Sequence, residues 1–229
     1  MSAMLHLEGA AHGAAETVAV AVETLVIAGW TGRDAAAIEH HIAELAALGV
    51  KRPSTVPLYY RVAASLLTQA ERVEVLGAQS SGEAEPILIA TADRLWVSVA
   101  SDHTDREVES YSVAVSKQLC PKPCARGAWR YEEVAPHWDR LMLRSFVVED
   151  GRRTLYQEGA LAAIRPPRGL IEGFAGSKHL PAGTAMLCGT LVAKGGVRPA
   201  PRFEMELEDP VLGRAIRHGY DIVALPVVA

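Results

Sequence analysis

Two glutamates stand two residues apart in the segment "SSGEAEPILIA", at Glu83 and Glu85, directly before an apolar run. Side chains alternate along a strand, so these two positions share a face, and two like charges side by side repel each other. One interpretation is a solvated face where a strand begins, since glutamate is usually exposed. The other is a cation held between the two carboxylates.

A third acidic side chain follows the run "RLWVSVA", in the segment "SDHTDRE". Asp102 stands there at the end of a predicted strand, where ligand-binding groups often collect. The set Glu83, Glu85 and Asp102 suits Mg²⁺ or Mn²⁺, because these ions prefer oxygen ligands. Asp105 and Arg106 in the same segment are also typical of the first turn of a helix and its salt bridge.

The segment "HHIAEL" places His41 and Glu44 three residues apart, so a helix brings both to the same face. A carboxylate beside an imidazole fixes its tautomer and raises its basicity, which is what a general base needs. The alternative interpretation is a solvated helix face.

Two further segments carry polar groups, each of which is by itself a weak indication of a ligand-binding site. Lys117 stands late in a predicted helix before a proline-rich loop, and Gly189 and Thr190 end an apolar run in "MLCGT". A lone lysine is usually solvated and a Gly-Thr pair is usually a turn. An ammonium group, a hydroxyl and free backbone amides are nevertheless the groups that face an anionic ligand.

The composition of the 229 residues limits the class of protein. Hydrophobic residues make up 49% and the formal net charge is -4, which is typical of a globular chain with a sizeable core. No basic tract indicates nucleic acid, no apolar segment is long enough to span a membrane, and the N-terminus lacks the pattern of a signal peptide. Three cysteines do not make a disulfide framework, so we expect a cytoplasmic protein.

Strand patterns dominate the elements that must position these groups. Alternation predicts strands in "ETVAVAVETLVIAG", "RVEVLG", "EPILIA", "RLWVSVA" and "RFEMELEDP", and "DGRRTLYQEG" predicts a hairpin that turns at Asp150 and Gly151. Helical spacing predicts one helix in "GRDAAAIEHHIAELAALGV", ended by Gly49, and a second over "DREVESYSVAVSKQ". A few helices segregated from many strands favour an α+β fold over a doubly wound sheet.

In chain order, these segments resemble the fumarylacetoacetate hydrolase superfamily. The matching pieces are an HxxE dyad, an ExE pair, an aspartate in "SDHTDR", a lysine in "SKQ" and a late "CGT" turn. The resemblance covers about residues 30–215 and implies a β-rich mixed sheet or roll of the type of that family's C-terminal domain, with a few short helices. It also implies a single catalytic domain over 1–229, with 1–15 as a loose N-terminal extension, and a homodimer.

The resemblance further implies a role for each candidate residue. Glu83, Glu85 and Asp102 match the ligands of one divalent cation, Mg²⁺ or Mn²⁺. The other matches are to the water-activating dyad (His41 and Glu44), to the lysine that stabilises an oxyanion (Lys117), and to substrate contacts (Arg106, Gly189, Thr190 and, more weakly, Tyr60). The chain departs from the pattern mainly on the substrate side, for example at Glu109, where a glutamine is common.

The implied function is a metal-dependent hydrolase that cleaves a carbon–carbon bond of a 2-oxo or 2,4-dioxo acid through a metal-stabilised enolate. A decarboxylase, hydratase or lyase of a 2-oxo or sugar acid would use the same site. A small-acid-binding protein without turnover is the alternative from another class, although it has no need for the dyad. If the chain were an unrelated β-rich domain, the candidate residues would not meet in space.

Overall fold

The computed structural model describes residues 2–11, 14–47 and 52–228. Strands dominate these residues. Four of the five segments predicted as strands each become one strand, whereas "ETVAVAVETLVIAG", also predicted as one strand, is divided into two at Glu23. The strands are β1 Ala3–Ala11, β2 Ala14–Val22, β3 Thr24–Gly29, β4 Leu58–Val62, β5 Leu67–Thr68, β6 Arg72–Leu76, β7 Ser80–Ser81, β8 Ala84–Ala90, β9 Leu95–Ser101, β10 Thr104–Asp105, β11 Lys122–Pro123, β12 Trp129–Arg130, β13 Met142–Glu149, β14 Arg152–Ala160, β15 Thr184–Leu187, β16 Arg202–Asp209 and β17 Arg214–Leu225.

The helices are few and mostly short. The α-helices are α1 Ala35–Ala47, α2 Arg106–Glu109, α3 Val113–Leu119, α4 Tyr131–Val134 and α5 Pro167–Ala175, and 3₁₀ turns occupy Ala64–Leu66, Ala135–Arg140 and Leu161–Ala163. The fold is therefore α+β and strand-rich, as predicted. Among the described residues, no helix is long and apolar enough to cross a lipid bilayer.

Two mixed sheets form the body of the fold. The first has the strand order β12-β9-β8-β15-β3-β4, and the second has the order β14-β13-β16-β17-β6. Most neighbours are antiparallel, but β15 pairs with β3, and β17 with β6, in parallel. Mixed sheets of this kind need long connections between their parallel neighbours, which the intervening strands and helices supply.

The six-stranded sheet is covered on both faces. One face packs Val26 and Leu88 against Phe203 and Leu207 of the five-stranded sheet. The opposite face packs Ile27 and other apolar side chains under the β1–β2 hairpin. Because both faces of the sheet are buried, β8 has a run of consecutive apolar residues after Glu85 instead of alternating apolar and polar residues.

The N-terminal residues correct one expectation. Residues 1–15 were expected to be a loose extension, but β1 pairs with β2 over its whole length. Leu5 and Leu7 are completely buried against the second face of the six-stranded sheet. The alternation in "AMLHLEGAA" is a strand signal, and its apolar side chains complete the core.

The predicted second helix is interrupted. Instead of one helix over "DREVESYSVAVSKQ", the chain forms α2 and α3, separated by a turn at Ser110–Ser112. The side chain of Asp105 accepts a hydrogen bond from the amide of Val108 and begins α2, and Ser112 caps α3 in the same way through Val115. Two N-cap residues in one short segment favour two helices over one.

The other predicted elements are confirmed. The hairpin turns at Asp150 and Gly151, where both residues have a positive φ, as the tight turn between β13 and β14 requires. Helix α1 covers the predicted segment, and Ile42 on its apolar stripe is buried. The predicted stop at Gly49 lies outside the described residues.

Candidate metal centre

The three predicted carboxylates lie at the same end of the β8–β9 hairpin. Glu85 on β8 pairs with Ala100 on β9, and the amide of Asp102 donates a hydrogen bond of 2.9 Å to the carbonyl of Glu83. Alternation along the strands sends all three side chains to the face that carries Ile87 and Ala100. The hairpin therefore brings residues from two segments to one point.

One carboxylate oxygen from each of Glu83, Glu85 and Asp102 lies within 4.8 Å of the other two. Glu85 and Asp102 are buried, and Glu83 is the partly exposed member of the cluster. In an octahedron with Mg–O distances of about 2.1 Å, opposite ligands are about 4.2 Å apart. The cluster thus fits a divalent cation after a small inward movement of its oxygens.

Two buried lysines neutralise Asp102. Lys117 Nζ forms an ion pair with Oδ2, and Lys122 Nζ lies 3.3 Å from Oδ1 and donates to the carbonyl of His103. Burial by itself would raise the pKa of Asp102, but the two ammonium groups outweigh it and lower that pKa to about 2. Asp102 is therefore held as a carboxylate.

Lys122 was not among the predicted site residues. It has no exposed surface, and burial lowers its pKa against the attraction of Asp102. Lysine is rarely buried unless it is paired, so its position in the sequence between two prolines carried no signal of this role. Only the pairing of β11 with β5 shows how the residue is drawn into the interior.

Glu85 is held by the backbone of the "CGT" turn. The amide of Gly189 donates a hydrogen bond of 2.7 Å to Glu85 Oε2, while the carboxylates of Asp102 and Glu83 lie close by. Burial, followed by the charge of Asp102, raises the pKa of Glu85 well above its usual range. A bound divalent cation would remove this cost, which is a second reason that the cluster fits one.

Arg106 closes the open side of the cluster. Its Nη1 atom lies 3.2 Å from Glu83 Oε1 and 2.7 Å from Glu109 Oε2, and its Nε donates to Ser81 Oγ at 2.7 Å. The salt bridge expected for a first helical turn is therefore present. The predicted contact between Arg106 and substrate remains a prediction.

An aromatic wall stands on the other side of Lys117. The Nζ atom of Lys117 lies 5.7 Å from the centre of the Tyr60 ring. The Tyr60 side chain also forms a hydrogen bond with Trp30. Tyr60 pairs with Ile27 across β4 and β3, so the wall belongs to the six-stranded sheet. Tyr60 therefore lies beside the lysine that is predicted to stabilise an oxyanion, and its role as a pocket wall remains a prediction.

Helix α1 begins five residues after Trp30 along the chain. The side chain of Asp34 accepts hydrogen bonds from the amides of Ala36 and Ala37, and Arg33 forms a double ion pair with Asp139. His41 and Glu44 lie on α1, but their side chains are outside the described residues. Their role as a water-activating dyad remains a prediction.

Two polar side chains near the cluster, Thr190 and His103, have protein partners. The hydroxyl of Thr190 donates to the carbonyl of Ala84 at 2.8 Å and accepts from Gln157 at 2.7 Å, so it ties the turn to β8. His103, beside Asp102, is buried between Tyr220 and Ser80. Burial lowers the pKa of His103 to about 3, so this imidazole is neutral.

The sequence profile of one protein family matches residues 28–220, which is most of the chain. The chain belongs to the DUF2848 family. That family is described as "Protein of unknown function". A comparison of this DUF2848 protein with curated proteins gave no match.

Solved structures share the fold of this DUF2848 protein. Cg1458 with inhibitor has a TM-score of 0.65 at 17% identity, and the match covers 92% of this chain and 81% of that one. The 2-keto-3-deoxy-D-arabinonate dehydratase complexed with magnesium and 2,5-dioxopentanoate has a TM-score of 0.65 at 12% identity, covering 90% and 74%. At these identities the likeness concerns the fold.

Proposed function

We propose that this protein is a divalent-metal-dependent enzyme that acts on a small 2-oxo acid, within the fumarylacetoacetate hydrolase superfamily. The observation that carries the proposal is the convergence of Glu83, Glu85 and Asp102 at one end of a hairpin. Lysines and Arg106 pair with Asp102 and Glu83, but Glu85 is buried beside them with its pKa raised by burial and by Asp102, a cost that a divalent cation would remove. The structural neighbour that is complexed with magnesium and a dioxo acid supports the same chemistry.

The metal would be Mg²⁺ or Mn²⁺, held by one oxygen from each carboxylate. Three protein ligands leave about half of an octahedral shell for water and for a chelating acid. When bound, the ion would act as a Lewis acid on the substrate carbonyl. The protein's own groups would then hold the ligands, orient the acid and move protons.

Lys117 would stabilise negative charge on the reacting oxygen. Its ammonium group is nearly buried beside Asp102 and below the Tyr60 ring. Its attraction to Asp102 raises its pKa despite burial, so it remains protonated. A buried cation that is already oriented costs little reorganisation when charge develops, which favours catalysis over simple binding.

His41 and Glu44 would supply the proton transfer. In a hydrolase, His41, oriented by Glu44, would take a proton from the water that attacks a carbonyl of a 2,4-dioxo acid. The carbon–carbon bond would then break, the enolate oxygen of the leaving fragment would accept a hydrogen bond from Lys117, and the enolate carbon would take up the proton held by His41. This is the first candidate reaction.

A lyase is the second candidate, and the structural neighbour that is a dehydratase favours it. In that reaction a base removes a proton next to the substrate carbonyl and a hydroxyl leaves as water. Lys117 would stabilise the same kind of oxyanion. The two candidates therefore share the site and differ in the group that leaves.

The test is a screen of 2-oxo, 2,4-dioxo and hydroxylated 2-oxo acids with Mg²⁺ or Mn²⁺, followed by mass spectrometry of the products. Hydrolysis gives two shorter acids, dehydration gives one product lighter by a water, and decarboxylation releases carbon dioxide. Glu85→Gln should abolish turnover, whereas Glu107→Gln, on the exposed side of α2, should leave it unchanged. Metal-dependent binding of these acids without turnover of any would instead indicate a binding protein.

A further inference from the structure

Arg106 is a cation between two carboxylates at the opening of the candidate metal centre. Besides Glu83 and Glu109, its partners are the hydroxyl and the carbonyl of Ser81. The exposed fraction of the side chain is 16% for Arg106, 19% for Glu83 and 29% for Glu109. Glu109 is thus the most exposed of these three side chains, and the opening is this partly exposed side of the cluster.

The charged groups at this opening do not favour the binding of an anion. A guanidinium keeps its proton in proteins, so Arg106 is charged, and it is paired with Glu83 and Glu109. If Glu83 turns to a metal ion, Glu109 still holds Nη1 at 2.7 Å. An incoming carboxylate at this position would therefore have to displace Glu109 and would face its negative charge.

A neutral group with a hydrogen to donate would be accepted there instead. The Glu109 carboxylate is only an acceptor, and Arg106 is its ion-pair partner within the part of the chain that the structure describes. A hydroxyl can donate to such a carboxylate without separating it from Arg106. The opening is thus complementary to the hydroxylated end of an acid rather than to a second acid group.

We infer that Glu109 is a specificity-determining residue, which occupies Arg106 and selects a monocarboxylic 2-oxo acid with a hydroxylated far end over a dicarboxylic one. This inference rests on the proposed function, because the 2-oxo acid end of the substrate is the part that the metal would hold. Glu109 does not enter the chemical step. Its effect is on which acid binds.

The experiment compares three acids with the same number of carbons on the Mg²⁺-loaded protein by calorimetry. They are 2-oxoglutarate, 2-oxopentanoate and 5-hydroxy-2-oxopentanoate, which differ only at the far end. The wild-type protein should bind 5-hydroxy-2-oxopentanoate tightest and 2-oxoglutarate weakest, with a ratio of at least about tenfold between these two. Glu109→Gln frees Arg106 and should remove or reverse that ratio.

Two variants control for the substitution itself. Glu107→Gln removes an exposed carboxylate from the same short helix and should leave the ratio unchanged. Glu109→Asp keeps the charge and should keep the preference, and thermal unfolding shows whether each variant is folded. A ratio in Glu109→Gln within about twofold of the wild-type value would overturn the inference while the proposed function stands. If the Mg²⁺-loaded wild type binds none of the three acids, both are overturned.

Discussion

The backbone amide of Gly189 donates its hydrogen bond to the carboxylate of Glu85. Gly189 has a φ of 106°, and a Cβ atom there would overlap the hydroxyl of Thr31. This turn brings the end of β15 against the start of β8, and Thr31 lies four residues before helix α1. The glycine therefore connects the metal-ligand hairpin to the part of the chain that leads into α1.

Gly189→Ala should destabilise the protein and weaken metal binding. The backbone conformation alone should cost about 1–3 kcal/mol, and the overlap with Thr31 adds to it. Since Glu85 depends on this amide for its position, the affinity for Mg²⁺ should fall as well. Chemical denaturation and calorimetric titration with Mg²⁺ measure the two effects.

Gly151→Ala is the matched control for that substitution. Gly151 also has a positive φ, at 74°, but no atom lies within 4 Å of the position its Cβ would take. Gly151→Ala should lower the free energy of unfolding only by the cost of the backbone conformation, and it should leave the affinity for Mg²⁺ unchanged. Thr31→Ala should partly rescue Gly189→Ala, and a Gly189→Ala variant that matches Gly151→Ala in both measurements would contradict the role assigned to the turn.

Lys117→Met should tighten Mg²⁺ binding while it lowers turnover. Lys117 and the metal compete for Asp102, and a unit charge near a divalent ion opposes its binding by several kcal/mol at most. We expect an affinity gain of at least about tenfold by calorimetry, and a loss of turnover of about 10²–10³-fold. Lys178→Met removes an exposed lysine and should change neither quantity, and weaker Mg²⁺ binding in Lys117→Met would refute the competition.

His41→Ala should lower turnover by about 10²–10⁴-fold and leave metal affinity nearly unchanged, because His41 acts on water or substrate and not on the metal. Glu44→Gln should have a milder effect, since the amide still orients the ring without supporting its positive charge. Glu83→Ala should show the reverse order, with metal affinity lost first. Steady-state kinetics at saturating Mg²⁺ separates these cases, and full activity of His41→Ala would exclude the dyad.

Lys122→Met should destabilise the metal-free protein because it removes one of the two cations that face Asp102. Removing one partner of a buried ion pair typically costs about 3–5 kcal/mol. Lys117 would still pair with Asp102 and would offset part of that cost. In an Asp102→Asn background the same substitution should cost less. Urea denaturation of the wild type, Lys122→Met, Asp102→Asn and the double variant measures this coupling. Equal losses of stability in both backgrounds would mean that Lys122 acts only through the carbonyl of His103.

The strands were the most predictable part of the fold because their signal is local. Alternation or a continuous apolar run identified β6, β8, β9 and β16, and the Asp150-Gly151 pair identified a hairpin turn. The three carboxylates could be proposed together because two share a strand face and the third ends the next strand. Their positions along the chain therefore determine most of the distances between the three carboxylates.

The rest of the site depends on contacts between distant segments, which a single sequence does not show. Lys122 reaches Asp102 through the pairing of β11 with β5, and Gly189 reaches Glu85 through the pairing of β15 with β8. The split between α2 and α3 was missed because apolar periodicity continues across Ser112, whose side chain caps the N-terminus of α3. The burial of β1 was missed because its partner surface is built from several later strands.

The position of β15 within the six-stranded sheet has a consequence for the order of folding. The hairpin of β8 and β9, which positions the carboxylates, lies on one side of β15. On the other side lie β3, which precedes α1, and β4, which carries Tyr60. β15 pairs residue 24 with residue 184, so the two halves can join only after most of the chain has been synthesised. A nascent chain that ends before β15 holds all three metal-ligand carboxylates but lacks the strand that joins the two halves of the six-stranded sheet. Assembly of the complete centre is therefore a late event in folding.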